Sequence, residues 1–240
     1  MNDNQKFVTK IASTAEVDTF LRKLDQGTVR APQTRGRLLF ALDATGSRQA
    51  TWDRAAHIQT EMFLSAQSLG GLKIQLCFYR GYGEFKVSPW LAEAAPLLRM
   101  MTSVSCRAGE TQIGRVLRHA ANEAASRRVS ALVFVGDCCE EMPDALATRT
   151  GRLAAFGVPA FMFHEGNDLR AAAAFREIAR ITGGAYSRFD ASSPDALRQL
   201  LCAVAVYAAG GGPALLRHAA SASSAVKRLA HQMAGGREGR

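Results

Sequence analysis

The stretch Leu38-Leu39-Phe40-Ala41-Leu42-Asp43-Ala44-Thr45-Gly46-Ser47 decides the fold. Five apolar residues in a row do not alternate with polar ones. Such a run reads as a strand buried on both faces, as in a parallel sheet covered by helices. It ends in a carboxylate, and hydroxyls follow at every second position. A carboxylate at the end of an apolar strand is poorly hydrated and needs a partner to stay ionised at moderate cost. In an extended turn this spacing aims three oxygen groups toward one point, and Gly46 lets the backbone approach closely. A helix predicted from Gln49 puts that point near a positive helix end. Taken alone, the D-x-T-x-S pattern also fits a helix cap that satisfies backbone amides.

Outward from this strand the chain alternates. Helical spacing is predicted over Gln49–Leu69, Trp90–Met101, Gln112–Ser126, Asp144–Phe156, Asp168–Thr182 and Pro194–Tyr207. Strands are predicted over Leu72–Tyr79, Glu84–Val87, Ala131–Gly136, Pro159–Phe163 and Ala185–Phe189. Interleaved apolar strands and helices mean an α/β fold, a mostly parallel central sheet with helices on both faces. Before it, residues 1–36 read as a helical lead-in and linker: Ser13 and Glu16 have capping-box spacing, and Val17, Phe20, Leu21 and Leu24 recur at helical intervals. After the α/β domain of residues 37–209, Gly210-Gly211-Gly212-Pro213 breaks the pattern. Residues 210–240 then carry a thin stripe, Leu216, Ala219, Ser223, Val226, Leu229 and Met233, with basic residues between. It reads as a helix docked on its own domain.

Length and composition agree: 240 residues, 48% hydrophobic and 21% charged, suit one sizeable soluble domain. No apolar run comes near the ~20 residues of a membrane span, and the first ten residues lack a secretory apolar core. Five cysteines without framework spacing point to free thiols, so a cytoplasmic location is expected. The net charge of +9 is spread along the chain rather than clustered. It reads as a surface property before a nucleic-acid footprint.

A second strand, Ala131–Gly136, also ends in aspartate, Asp137, and between the two Gly109-Glu110-Thr111 opens a helix. That recurrence weighs against a simple cap. Carboxylates and hydroxyls without histidine or thiolate suit a hard divalent cation, magnesium above all. In open parallel sheets ligands sit at the carboxyl ends of the strands, where these residues lie.

These residues resemble a von Willebrand factor type A domain with its metal-ion-dependent adhesion site. Asp43, Thr45 and Ser47 match its D-x-S-x-S, Thr111 in AGETQIG its threonine loop, and Asp137 in LVFVGDCC its late aspartate. TGGAYSRFD, from Thr182 to Asp190, resembles its turn into the last strand, and the likeness runs from about Arg37 to Tyr207. The resemblance implies a three-layer Rossmann-like fold with one antiparallel edge strand. It implies Mg²⁺ or Mn²⁺ held by Asp43, Thr45, Ser47, Thr111 and Asp137, with no catalytic residues. A protein partner would complete the shell with an aspartate or glutamate. Thr45 departs from the usual serine, and Cys138 stands where glycine commonly follows.

Two rival readings remain. A haloacid-dehalogenase-type phosphohydrolase would carry a second aspartate where Thr45 stands, and that acid is what protonates its leaving group. Nucleic-acid association would rest on charge alone. Cys138-Cys139 reads as loop chemistry, Glu140, Glu141 and Asp144 as rim residues or caps of the following helix, and His164-Glu165-Gly166 as part of the rim. The partner's identity and the oligomeric state are not legible.

Overall fold

Seven successive residues that avoid water on both faces need neighbours on both edges as well. In the computed structural model, which describes residues 36–49, 72–189 and 194–235, β1 (Arg37–Asp43) has them. It is buried at every position and lies between β2 (Lys73–Arg80) and β4 (Ala131–Gly136), parallel to both. The described residues build a six-stranded sheet with β3 (Glu84–Val87), β5 (Ala160–Glu165) and β6 (Ala185–Phe189), in the order β3-β2-β1-β4-β5-β6. All pairings are parallel except β2 with β3 at one edge. The strand order reverses between β1 and β4, which opens a crevice at their carboxyl ends. Asp43 ends β1, and Asp137 follows β4.

Alternate side chains of the strands feed two cores. Leu38, Phe40, Leu42, Ile74, Val133 and Phe161 pack on one face with α1 (Ala94–Thr102), α5 (Pro194–Ala220) and α6 (Ser224–Gly235). Leu39, Ala41, Tyr79, Leu132, Phe134 and Met162 pack on the other with α2 (Ile113–Ser126), α3 (Pro143–Ala155) and α4 (Leu169–Thr182). Helix ends follow local chemistry. Asp168 caps α4 by accepting from the Ala171 N–H at 2.6 Å. Gly183 closes it at φ 66°, a conformation that costs glycine little.

The expected N-terminal helix, the helix over Gln49–Leu69 beyond its first residue, and the Ser193 cap lie outside the described residues. The helix expected from Trp90 begins at Ala94. At the Gly-rich segment the helix breaks as expected: within α5 (Pro194–Ala220) two helices meet across a kink at Gly211, at φ 70° and ψ −167°. Both halves bury apolar residues in the same core, Leu197 to Ala208 before the kink and Leu215 and Ala219 after it. That shared burial keeps the segment after the kink on the same sheet face as the segment before it.

The tail stripe is split between α5 and α6, and Val226, Leu229 and Met233 are buried in that core too, while Leu216 is exposed. On α6, Gln232 accepts from the Tyr186 N–H at 2.9 Å and donates to its carbonyl at 3.1 Å. Those bonds cover the outer edge of β6, which would otherwise invite strand addition. By length and composition alone Leu197–Ala220 would suffice to cross a membrane, with mean hydropathy 1.5. Counting unbroken apolar runs overlooked it because alanine and glycine dilute the stretch.

Candidate metal centre

At the end of β1 the backbone turns back on its own carboxylate. Asp43, fully buried, accepts from the Thr45 N–H at 2.8 Å through Oδ1 and from the Tyr79 hydroxyl at 2.9 Å through Oδ2. Tyr79 is the β2 residue in register with Asp43. Burial and the neighbouring Asp43 push its phenol well above the usual range, so it stays a donor. The Thr45 and Ser47 hydroxyl oxygens lie 3.2 Å apart. Adjacent ligands of a cation with bonds of about 2.1 Å in an octahedron are separated by about 3 Å.

Three loops meet here. Thr45 bridges Arg107, whose N–H donates to the Ala44 carbonyl at 3.0 Å, so the segment leading to Thr111 runs along the β1 turn. Thr111 is tied to the third loop by a reciprocal pair. Its N–H donates to the Glu140 carboxylate at 3.0 Å, and its hydroxyl accepts from the Glu140 N–H at 3.0 Å. Asp137 opens that third loop. Its Oδ1 is buried without a hydrogen-bond partner, and its charge acts on Asp43. Buried polar oxygens are nearly always partnered, so this one points to a missing ligand.

Electrostatics also fit a cation. Burial raises the Asp43 carboxyl above its usual range; hydrogen bonds from Thr45 and the Arg48 charge pull it back, and Asp137 pushes it up again. A buried carboxyl with a second acid's charge acting on it favours a bound cation. Among the described residues no group of three or more histidine, cysteine, aspartate and glutamate side chains could hold a metal. A cation here therefore depends on the hydroxyls of Thr45, Ser47 and Thr111, a donor set suited to a hard ion.

Several supporting residues were not visible in the sequence. Arg48, almost fully buried, donates to Glu165 Oε2 at 2.8 and 3.1 Å and to the Asp43 carbonyl at 2.8 Å. Glu165 is thus not a rim residue but the internal counter-ion of Arg48. His164 is also interior, with Nδ1 3.0 Å from the Tyr186 hydroxyl, its ring edge-on to Phe175, and its basicity lowered by burial. Glu141 does not cap the following helix. Its carboxylate takes the Ile113 and Gly114 N–H groups, at 2.6 and 2.8 Å, at the start of α2. That terminus has no capping side chain at Gln112, so the loop acid fills the role. Asp144 sits in the first turn of α3, as read.

Among the described residues no non-glycine residue has positive φ, so cysteine in place of glycine at 138 is unstrained. Burial raises both thiols of the pair, Cys139 to about 11, which keeps them protonated and poorly nucleophilic.

Glycine is required where the Thr111 loop crosses the β2–β3 turn. A Cβ on Gly109 would overlap the Gly81 backbone, whereas one on Gly151 in α3 would meet nothing within 4 Å. Gly109→Ala is expected to cost about 1–3 kcal/mol in urea unfolding, as overpacking does. Gly151→Ala, a helix-interior control, is expected to gain about 0.5–1 kcal/mol.

No protein-family model matches the sequence, and no curated protein matches it. Solved structures do. A von Willebrand factor type A protein from Catenulispora acidiphila superposes with a TM-score of 0.59 at 17% identity, over 70% of this chain and 42% of that one. The SpRpn10 VWA domain gives 0.55 at 14% identity, over 68% of this chain and 95% of that one. Proximal thread matrix protein 1 from the mussel byssus, solved with a zinc-occupied MIDAS motif, gives 0.59 at 14% identity, over 72% and 48%. The chain spans under half the length of the Catenulispora and mussel proteins. At these identities the likeness establishes the fold: a von Willebrand factor type A fold with a mixed, mostly parallel sheet.

Proposed function

We propose that this chain is a protein-interaction module that holds Mg²⁺ or Mn²⁺ on Asp43, Thr45, Ser47, Thr111 and Asp137 and engages a partner's aspartate or glutamate through it. The observation that carries the reading is the buried, unpartnered Oδ1 of Asp137 acting on the buried Asp43 carboxyl. The ion, when bound, supplies a compact positive charge with an exchangeable water position. Thr45 and Ser47 offer neutral oxygens at octahedral-edge spacing. Asp43, held by Tyr79 and the Thr45 N–H, offers negative charge from a fixed position. Glu140 holds the Thr111 hydroxyl in place through its N–H, and one lone pair of that oxygen stays available. With only two acids in the set, a third negative group from outside is favoured.

The mussel protein's zinc-occupied motif supports a divalent ion on this fold. The donors here are all hard oxygen, which argues for magnesium or manganese. A binding role also fits the chemistry of position 45, where a threonine cannot act as the acid a phosphohydrolase needs. All five cysteines are free, in keeping with a reducing compartment, and we place the protein in the cytoplasm.

The immobilised chain tests the reading. Partners retained in Mg²⁺ are expected to be lost in EDTA and on Asp43→Ala. Equal recovery in all three conditions rejects it.

A further inference from the structure

Each oxygen of the Asp43 carboxylate accepts a different donor from within the chain. Oδ1 turns to the loop that carries Thr45 and Ser47, where it accepts the Thr45 N–H at 2.8 Å. Oδ2 turns to the core, where it accepts the Tyr79 hydroxyl at 2.9 Å. The first bond is local, two residues along the chain, and travels with the turn. The second reaches a residue 36 positions away on the neighbouring strand.

Tyr79 is a rigid donor. Its carbonyl accepts from the Ala44 N–H at 3.0 Å, so backbone and side chain both grip the end of β1. Its ring has no exposure and stacks on Phe134 at 6.3 Å, and Phe134 lies edge-on to Phe175 at 5.3 Å. The phenol cannot swing away without opening that aromatic cluster. Apolar packing alone asks for phenylalanine here, because a buried hydroxyl costs free energy unless it is bonded. The hydroxyl has one use on the page, which is to hold Oδ2.

That restraint bears on which ion the centre accepts. Calcium takes six to eight oxygens at about 2.3–2.6 Å in flexible shells and uses carboxylates through one oxygen or both. Magnesium demands a near-ideal octahedron at about 2.0–2.1 Å. The two oxygens of one carboxylate are too close together to span an octahedral edge of about 3 Å, whereas the Thr45 and Ser47 hydroxyls, 3.2 Å apart, match one. Selectivity between such ions follows ligand number and flexibility, and groups behind a ligand fix its orientation.

We propose that Tyr79 sets the ion preference of the centre: by holding Asp43 Oδ2 on the core side it limits Asp43 to a single oxygen, and so disfavours calcium against magnesium and manganese. This rests on the metal reading above and deepens it. Tyr79 is a positioning residue, since it touches Asp43 and not the ion.

Calorimetric titration of the EDTA-stripped 240-residue chain with MnCl₂ and with CaCl₂ gives the ratio of the two affinities. The parent is expected to favour manganese by at least tenfold. Tyr79→Phe keeps the ring and its stacking but releases Oδ2, and is expected to move the ratio toward calcium by at least tenfold. Thr150→Val deletes a buried hydroxyl in α3 that is bonded to the Leu146 carbonyl at 2.7 Å, and is expected to keep the parental ratio. A general loosening of the fold weakens both ions together and cancels in the ratio. Calcium bound as tightly as manganese by the parent overturns the proposal without any variant. So does a ratio unchanged by Tyr79→Phe, or one moved as far by Thr150→Val. In each of these cases manganese still binds and the metal reading stands. No manganese binding in the parent removes that reading, and the role of Tyr79 with it.

Discussion

Arg48→Met is expected to lower the thermal midpoint by about 6–20 °C. The arginine has almost no exposure and forms a buried pair with Glu165 across the ends of β1 and β5. Removing one member of such a pair leaves the other charge uncompensated, at about 3–5 kcal/mol. In a domain of this size each kcal/mol moves the midpoint by about 2–4 °C. The Asp43 carbonyl also loses its donor at 2.8 Å. The double variant Arg48→Met, Glu165→Leu removes both charges and is expected to recover most of the loss. A double variant as unstable as the single one would show that packing around the guanidinium matters, and not the charge. Thermal melts of the four members of the cycle decide this.

Asp43→Asn is expected to act in opposite directions with and without metal. Burial raises the Asp43 carboxyl in the folded chain. A carboxyl that binds its proton more tightly when folded stabilises the fold fully at pH below its unfolded value. That contribution is lost as pH rises through the raised, folded value, beyond which the buried charge opposes folding. Asparagine carries no charge. In EDTA at neutral pH the variant is therefore expected to melt a few degrees above the parent, and the gap closes as the pH falls to the ordinary aspartate range. In saturating Mg²⁺ the parent gains stability by mass action and the variant does not. A hundredfold excess over the dissociation constant gives about 2.7 kcal/mol, which inverts the order of the two proteins. Equal midpoints at all pH values in EDTA contradict the burial argument.

The parts of this molecule legible in the sequence are those set by local pattern. β1 and β4 fall where their unbroken apolar runs put them, because the middle of a strand buried on both faces is apolar. The edge strand Glu84–Val87 was legible from the glycine turn before it. Asp43, Thr45 and Ser47 announce themselves because their spacing is contiguous. What stayed hidden depends on contacts between residues far apart in the chain. Tyr79 matters only through register with Asp43, Arg48 through a glutamate 117 residues away, and Glu141 through an uncapped helix 28 residues earlier. The break at Gly211 was legible from the glycines and proline around it, because it is set locally.

The central claim is that five oxygen-bearing side chains from three loops hold one hard cation. Calorimetric titration of the EDTA-stripped 240-residue chain with MnCl₂, repeated on Asp137→Ala, tests it most directly. The account predicts one saturable site per chain in the parent, competed by Mg²⁺, and at least a hundredfold weaker binding in the variant. No binding heat in the parent, or equal binding in the two proteins, would contradict it.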